Sequence, residues 1–256
     1  MAQLEIACFN LDSSLIAQQN GVDRIELCDG FEVGGTTPNI ETTKAARAAL
    51  KIDLFVMIRP RGGNFVYSQD EFSQMKSAIK EFKKLNVNGF VFGILNDNNS
   101  INSLQNSELV ELAAPFPCTF HRAFDEVNNA FQSLEEIIDC GFHTILTSGQ
   151  AKNVVDGMDR LSELVSRANN RITIMPGGGL RSSNINAIQQ KTKASWYHSS
   201  AITDKDQTAN AIEIIAKEKN ISHMDGIIWY SDKEGIEPDS GGSIVSKGLK
   251  EIIEAN

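Results

Sequence analysis

Eight short apolar segments, regularly spaced along the chain, constrain the fold more than any other feature. They lie at residues 4–9, 23–28, 53–58, 89–94, 117–122, 143–148, 171–175 and 195–199. Because they are apolar almost throughout, they are typical of strands that are covered on both faces. The intervening segments carry apolar residues at intervals of three and four, which predicts helices, as in 70–85, 130–140 and 153–168. Residues 12–14 (DSS) and Ser68, with Glu71 three residues later, predict helix N-caps. Eight strands that alternate with helices predict a parallel α/β sheet, closed into a (β/α)8 TIM barrel.

The alternation ends near residue 218, which divides the chain into two parts. A length of 256 residues suits one α/β barrel, so we predict a single barrel domain over residues 1–218. No GxGxxG sequence follows the first strand, which argues against a dinucleotide-binding fold. Residues 219–256 are at first turn-rich and acidic, and then form a short amphipathic segment. We predict an irregular C-terminal extension, to which the sequence assigns no role.

The composition excludes several classes of partner. Acidic residues outnumber basic ones, 33 to 24, and the formal net charge of -9 argues against nucleic acid and anionic membrane surfaces. The apolar segments are far shorter than the roughly 20 residues of a membrane-spanning helix, and the N-terminus does not resemble a signal peptide. The four cysteines form neither a CxxC pair nor a zinc-ligand pattern. These observations predict a soluble, cytoplasmic protein with reduced thiols.

Polar side chains cluster where the predicted strands end. In a (β/α)8 barrel the carboxyl ends of the strands and the loops that follow form one mouth, where functional residues lie. The candidate catalytic residues at these ends are Glu26, Arg59, His121 and Asp125. His121 could act as a general acid or base, with Asp125 or Glu26 setting its charge state. A histidine at a strand end can equally be a structural group, and the arginines could form ion pairs with Glu26 or Asp125.

Two stretches rich in glycine and serine follow the last two strands, IMPGGG at 174–179 and HSS at 198–200. Many barrels bind phosphate or carboxylate groups here, because glycine lets backbone N–H groups approach an anion and a helix N-terminus adds its dipole. The candidate anion-binding residues are Arg61, Gly177, Gly178, Gly179, His198 and Ser199. The alternative is that the three glycines only form a tight turn.

Cys8 and Cys28 are candidate metal ligands, near the same height on neighbouring strands roughly 4.8 Å apart. Two thiolates in this arrangement could bind Cu(I), the biological metal that soft sulfur ligands select, and Met57 could assist. Free cysteines are also among the residues most often buried, so packing alone could explain both. Side-chain alternation adds a condition: if Glu5 faces the barrel interior, Cys8 faces the helices.

Seven ordered motifs resemble the CutC family, a group of cytoplasmic proteins associated with copper homeostasis. They are DRIELC (23–28), GGTTP (34–38), VMIRPRGGNFVYS (56–68), TFHRAFD (119–125), ILTSGQ (145–150), IMPGGG (174–179) and HSSA (198–201). The resemblance implies a (β/α)8 barrel, often dimeric, that binds copper through two cysteines at the positions of Cys8 and Cys28. The chain departs from the family pattern at Val33, at Asn39 and in NDNNS (96–100). These departures leave the expected fold and family unchanged, and they bear on how the loops recognise a ligand.

The sequence therefore supports two main functions. The first is a cytoplasmic copper homeostasis protein of the CutC type, a homodimer that binds Cu(I) through Cys8 and Cys28. The alternative is a TIM-barrel enzyme that acts on a small anionic substrate, such as a phosphorylated one, at the mouth of the barrel. The enzyme hypothesis gives a role to more of the polar residues at the strand ends, but it does not identify a reaction. A non-catalytic interaction scaffold, the third interpretation, would leave the polar mouth unexplained.

Overall fold

The computed structural model describes residues 2–202, which form one parallel barrel. Its strands are β1 (Gln3–Cys8), β2 (Arg24–Leu27), β3 (Asp53–Met57), β4 (Gly89–Phe92), β5 (Cys118–Phe120), β6 (Thr144–Thr147), β7 (Thr173–Pro176) and β8 (Trp196–Ser199). The hydrogen-bonded order is β7-β6-β5-β4-β3-β2-β1-β8. β7 and β8 stand at the two ends of this order, and Gly177 after β7 packs against His198 of β8, so the barrel is nearly closed. The predicted (β/α)8 barrel and its eight strands are confirmed.

Helices follow the strands on the outside of the barrel. Within the described residues they are α1 (Leu11–Gln19), α2 (Ile40–Ala49), α3 (Gln69–Lys83), α4 (Ser103–Ala113), α5 (Ala130–Asp139), α6 (Met158–Ala168) and α7 (Ile185–Thr192), with short 3-10 helices at Phe31–Val33 and Arg122–Glu126. The helices predicted at 70–85 and 130–140 are confirmed. The third begins five residues later than predicted, at Met158. The reason is that Asn153 Oδ1 accepts hydrogen bonds from the N–H groups of Val155 and Asp156, which stabilises a turn instead of a helical start.

Side chains cap the N-termini of α1 and α3. α3 begins with the capping box that the sequence predicts, since Ser68 accepts from the N–H of Glu71 while Glu71 accepts from the N–H of Ser68. At α1 the predicted cap at residues 12–14 is wrong. The cap is Asn10, whose Oδ1 accepts from the N–H of Ser13 at 2.7 Å, so α1 begins only three residues after β1 ends.

Strand side chains alternate between an outer apolar layer and the barrel interior. The outer layer packs against the helices and contains buried residues such as Ile6, Leu54 and Phe120. The interior holds a smaller apolar cluster of Cys28, Phe55, Met57 and Val91, with Phe9 packed against it. Gly89 provides the space for this cluster, because a Cβ on Gly89 would lie 2.4 Å from the Phe55 ring. Glu5, Arg24 and His198 form a polar part of the interior.

The remaining predictions concern membrane-spanning helices and the C-terminal extension. Among residues 2–202, no helix combines the length and the apolar character that crossing a membrane requires. The predicted boundary at residue 218 and the extension at 219–256 lie outside the described residues.

Candidate functional site

A cavity of about 290 Å³ opens at the carboxyl ends of the strands, and we call it the mouth pocket. Among the predicted site residues, those that line it are Glu26, Cys28, Arg59, His121, Gly178, Gly179, His198 and Ser199. It is also lined by the arginines Arg122 and Arg181 and by the rings of Phe9, Phe31 and Phe65. The other predicted site residues, Cys8, Arg61, Asp125 and Gly177, are not part of its lining. The barrel thus brings together polar groups from remote parts of the chain.

A second, larger depression of about 430 Å³ lies at the opposite end of the barrel, beside the start of β1 and β8. Its described lining includes Ala2, Gln189 and Lys193, and it brings no acid–base pair together. Because barrels of this type carry their functional residues at the carboxyl ends of the strands, the mouth pocket is the candidate site.

A buried ion-pair network lies beneath the mouth pocket. Glu5 accepts hydrogen bonds from Arg24 Nε at 2.5 Å and from His198 Nδ1 at 2.8 Å. The Arg24 guanidinium lies over the rings of Phe55 and Trp196, with its Cζ 4.1 and 4.0 Å from their centroids. Burial alone would raise the pKa of Glu5, but Arg24 and His198 together hold it below its usual value. Glu5 is therefore an anion that fixes the orientation of His198.

Glu26, on β2, is a buried carboxyl group with a free oxygen. Its Oε2 lies 3.8 Å from His198 Nε2, while its Oε1 has no hydrogen-bond partner among the described residues. Burial raises the pKa of Glu26 to about 7, although His198 opposes this shift. Burial would lower the pKa of His198, but its hydrogen bond to Glu5 and the charge of Glu26 raise it above its usual value. Glu26 and His198 are therefore neighbouring acid–base groups, and the charge of each shifts the pKa of the other.

His121 lies at the end of β5 and is a neutral hydrogen-bond donor. Its Nδ1 accepts from the N–H of Ala123 at 3.3 Å, so the ring proton is on Nε2. Nε2 is buried and has no partner among the described residues. Burial, with a further effect of Arg59, lowers the pKa of His121 to about 3. The expectation that Asp125 or Glu26 sets its charge state is not what the structure shows.

Arg59 lies at the end of β3 and is largely, but not fully, held by the backbone. Its two terminal nitrogens donate to the carbonyl oxygens of Val33, Gly35 and Gly63 at 2.8–2.9 Å. Its Nε is buried and unpartnered within residues 2–202. The ion pair with Glu26 or Asp125 that the sequence left open is not formed, so the positive charge of Arg59 is available to the mouth pocket.

Arg61 and Asp125 support loops around the mouth rather than lining the pocket. Arg61 Nε pairs with Glu71 at 2.6 Å, and its terminal nitrogens donate to the carbonyl oxygens of the same loop. Asp125 accepts from Thr147 Oγ1 at 2.5 Å, from the N–H of Ser148 at 3.1 Å and from Arg122 Nε at 2.8 Å. Asp125 therefore positions Arg122, and Arg61 shapes the loop after β3.

The rim of the mouth pocket is positively charged at the ends of β7 and β8. Arg122 packs on Gly178, since a Cβ on Gly178 would lie 3.0 Å from Arg122 Cζ. Gly178 has φ +101°, a backbone conformation that favours glycine. On the other side, Arg181 donates to Ser199 Oγ at 3.4 Å, and Ser199 Oγ donates to the Leu180 carbonyl at 2.9 Å. Two guanidinium groups thus flank the glycine turn that the sequence predicts to bind an anion.

The two candidate copper ligands point into different layers. Glu5 faces the interior, and Cys8 packs in the outer layer, as the alternation condition requires. Burial raises the pKa of Cys8 to about 12, although a hydrogen bond with the Ser14 side chain of α1 opposes this shift. Cys28 lies in the interior cluster and lines the mouth pocket, where burial first and Glu26 second raise its pKa well above the usual value. In this conformation the two thiols do not share a cavity.

One cluster among residues 2–202 has the spacing of a metal site with three His, Cys, Asp or Glu ligands. The ligand atoms of Glu5, Glu26 and His198 all lie within 4.8 Å of one another. However, Arg24 and His198 already occupy the oxygens of Glu5. The cluster is therefore explained as an ion-pair network, in which the positive charges of arginine and histidine take the place of a cation.

Glu5, Arg24 and Arg181 are charged residues of the site that were not among the candidates from the sequence, and Arg122 was placed at the end of the fifth strand without a role. A signal for the first two was present. Glu5 and Arg24 each interrupt a segment predicted to be covered on both faces, and a buried charge requires a partner. Two charges of opposite sign on neighbouring strands predict a pair, and their Cα atoms are in register.

The pattern of the CutC family matches residues 2–203, which is most of the chain. The chain belongs to the CutC family. It is 37% identical over 203 residues to the human copper homeostasis protein cutC homolog, covering 79% of this chain and 74% of that protein. It is 38% identical over 236 residues to a CutC-family protein of Glaesserella parasuis, covering 92% of this chain and 96% of that protein. A crystal structure described as a copper homeostasis protein CutC from Streptococcus agalactiae has a TM-score of 0.76 and 35% identity, covering 79% of this chain and all of that one.

Proposed function

We propose that this CutC-family chain is an enzyme that acts on a small anionic molecule in the mouth pocket. One observation carries the proposal. Within residues 2–202, five buried side-chain polar atoms have no partner. Three of them, Glu26 Oε1, Arg59 Nε and His121 Nε2, belong to residues that line the mouth pocket. Each unpaired buried polar group costs about 1–3 kcal/mol, so folded proteins rarely leave them. A ligand that pairs with these atoms explains why they occur together.

The charge of the lining indicates that this ligand is an anion. Arg59, Arg122 and Arg181 line the mouth pocket, against the single carboxyl group of Glu26. The whole chain has a net charge of -9, so this local excess of positive charge is not a property of the surface in general. The volume of about 290 Å³ suits a small molecule rather than a polymer.

The groups of the mouth pocket have complementary chemical roles. Glu26, beside His198, can accept or donate a proton. Arg59 and the neutral His121 can stabilise negative charge that develops on a substrate, because their N–H groups are buried and already in place. The rim arginines, with Arg122 held by Asp125, can hold the anionic group. This set of roles is that of an acid–base enzyme.

Thermal-shift and calorimetric titrations with inorganic phosphate, small monophosphates and small carboxylates test the proposal. We expect at least one of these compounds to stabilise the chain, and Arg181→Met to weaken its binding about tenfold or more. Arg167→Met is the matched control, because Arg167 pairs with Glu163 on the surface of α6, outside the pocket. Absence of binding by every compound would overturn the proposal.

The second candidate function is Cu(I) binding in the cytoplasm, which the family resemblance implies. The observation that favours it is that Cys28 and Met57 lie side by side in the mouth pocket. A Cβ on Gly35 would lie 3.4 Å from Cys28 Sγ and 3.6 Å from Met57 Cε. Thiolate and thioether sulfur are the ligands that Cu(I) prefers. Cys8 could join this pair only through a change at the end of β1, because its thiol faces α1.

Anaerobic Cu(I) titration of cysteine variants tests this candidate. We expect Cys28→Ser to lose Cu(I) binding and Cys118→Ser, on the buried β5, to retain it. The result for Cys8→Ser separates a two-cysteine site from a Cys28–Met57 site. Unchanged stoichiometry in Cys28→Ser would contradict copper binding at either site. The homodimer that the resemblance implies belongs to the same proposal, and the mass of the full chain in solution tests it.

A further inference from the structure

Two buried hydrogen-bond donors of the mouth pocket lie against the same aromatic ring. The Arg59 Cζ lies 4.8 Å from the centroid of the Phe65 ring, and the His121 ring centroid lies 4.7 Å from it. Arg59 and His121 are only 5% and 3% exposed, so each side chain is held in place by its surroundings. Both residues line the mouth pocket, and Arg59 Nε and His121 Nε2 have no hydrogen-bond partner within residues 2–202.

Both free atoms carry a proton and neither can accept one. Arg59 Nε is part of a guanidinium group, which has donors only. His121 Nδ1 accepts from the N–H of Ala123, which leaves the proton on Nε2. A water molecule or a ligand hydroxyl could use one such donor, but two donors without an acceptor between them select an atom with two lone pairs and no proton. Carbonyl, carboxylate and phosphate oxygens all have this character. Since the rim arginines Arg122 and Arg181 already provide a place for the anionic group, the remaining choice for the two donors is a carbonyl oxygen or the oxyanion derived from it.

We infer that Arg59 and His121 form a donor pair for the carbonyl oxygen of the ligand, which is a small carbonyl compound that also carries an anionic group. This inference rests on the proposed function, because the anionic group is the one held at the rim by Arg122 and Arg181. One donor is cationic and the other is neutral, so the pair polarises the carbonyl group without adding a second full charge to the wall.

The structural hydrogen bonds of Arg59 and His121 use other atoms, although the Arg59 side chain also lies beside the hydroxyl group of Tyr67. The terminal nitrogens of Arg59 hold the backbone around Gly35 and Gly63, yet this leaves Nε unused. Nδ1 of His121 fixes the turn at Ala123, yet this leaves Nε2 unused. A purely structural pair would gain by satisfying these atoms, since each one left unpaired costs stability. The two donors are therefore explained by recognition.

Matched pairs of ligands that differ only at the carbonyl group test the inference. The probes are dihydroxyacetone phosphate against glycerol 3-phosphate, and pyruvate against lactate, with inorganic phosphate and acetate as anions alone. We expect the carbonyl member of at least one pair to bind about tenfold more tightly than its alcohol, because the alcohol oxygen brings a proton to a site that has donors only. A difference between dihydroxyacetone phosphate and glycerol 3-phosphate would identify the anionic group as a phosphate. A difference between pyruvate and lactate would identify it as a carboxylate.

His121→Phe keeps an aromatic ring against Phe65 and removes the N–H. We expect this variant to bind the carbonyl and alcohol members equally, with the affinity for the alcohol unchanged, and His121→Gln to restore part of the preference. A loss of both affinities to the same extent would indicate a structural role alone and overturn the inference.

A measurement on the unaltered protein does not depend on a variant that folds. In a proton–nitrogen NMR spectrum with labelled histidine, the Nε2–H resonance of His121 should move downfield with the carbonyl probe and not with the alcohol. Equal binding of both members with no movement of this resonance would overturn the inference and leave the proposed function intact. If no probe of any kind binds, the proposed function fails, and this inference fails with it.

Discussion

Glu5 is the residue that holds the polar part of the barrel interior together. It is fully buried and joins Arg24 to His198, so it compensates two positive groups that are largely buried. The neighbouring carboxyl group, Glu26, is different, because one of its oxygens has no partner within residues 2–202. The two carboxyl groups therefore have different roles: Glu5 is structural and orients His198, whereas Glu26 is available to a ligand.

We predict that Glu5→Gln destabilises the fold by about 3–5 kcal/mol, because it leaves the charge of Arg24 buried without a compensating anion. The measurement is the free energy of unfolding in urea. Glu163→Gln is the control, since its ion pair with Arg167 is exposed and should change stability by less than about 1 kcal/mol. A similar effect of the two variants would show that the interior network contributes little.

The buried neutral His121 gives a prediction for pH. The pKa of His121 is lowered to about 3 in the folded chain, whereas an unfolded chain binds the proton near 6.5. Below about pH 6.5 the unfolded state therefore takes up a proton that the folded state does not, and stability falls by up to about 1.4 kcal/mol per pH unit from this group. Urea unfolding between about pH 6.5 and 4.5 should show a smaller loss for His121→Gln than for the unaltered chain.

If His121→Gln loses stability with falling pH as the unaltered chain does, His121 is not held neutral in the folded chain, and its assignment as a neutral donor is wrong.

At the scale of the elements, the sequence predicted what depends on local and periodic signals. The strands follow from uninterrupted apolar runs, and the capping box of α3 follows from Ser68 and Glu71. The start of α6 was not predicted, because a side chain, Asn153, competes for the backbone with the helix. The side-chain alternation of β1 correctly made the layer of Cys8 depend on Glu5, but only the structure shows which face Glu5 takes.

The capping box also gives a prediction for α3. We expect Ser68→Ala to reduce stability by about 1 kcal/mol, since the N–H of Glu71 loses its acceptor at the start of the helix. Ser73→Ala, in the same helix, is the control. Ser73 Oγ donates to the carbonyl oxygen of Gln69, which already belongs to the helix, so its loss should cost less than about 0.5 kcal/mol. Equal effects would mean that the box does not fix the helix start.

At the scale of the whole molecule, closure of the barrel creates the site. Glu5 and His198 are 193 positions apart in the sequence, and their side chains are 2.8 Å apart in the fold. The convergence of strand ends was predictable, because it follows from the barrel itself. The direction of the loop side chains was not predictable. Arg61 forms hydrogen bonds within its own loop, whereas Arg122 and Arg181 line the mouth pocket. The directions of Arg122 and Arg181 depend partly on hydrogen bonds with Ser148 and Ser199, which are remote in the sequence and which a local pattern does not encode.

Closure between β7 and β8 depends on Gly177, where the two ends of the sheet meet. A Cβ at this position would lie 2.4 Å from Leu146 Cδ1 and 3.1 Å from His198 Cβ, so neither neighbour leaves room for a side chain. We predict that Gly177→Ala destabilises the fold by about 1–3 kcal/mol, as overpacking of a dense core does. Free energies of unfolding measure the effect.

A double-mutant cycle separates overpacking from other effects of the substitution. Leu146→Ala removes the atom nearest to the added methyl group, so in its presence Gly177→Ala should cost at least about 1 kcal/mol less than it does alone. Cα atoms of Leu146 and Met175 are in register across β6 and β7, so the cycle reports on the strand pair next to the junction. Additive costs would show that Gly177 is needed for its backbone rather than for the space it leaves, and closure would then not depend on a contact with Leu146.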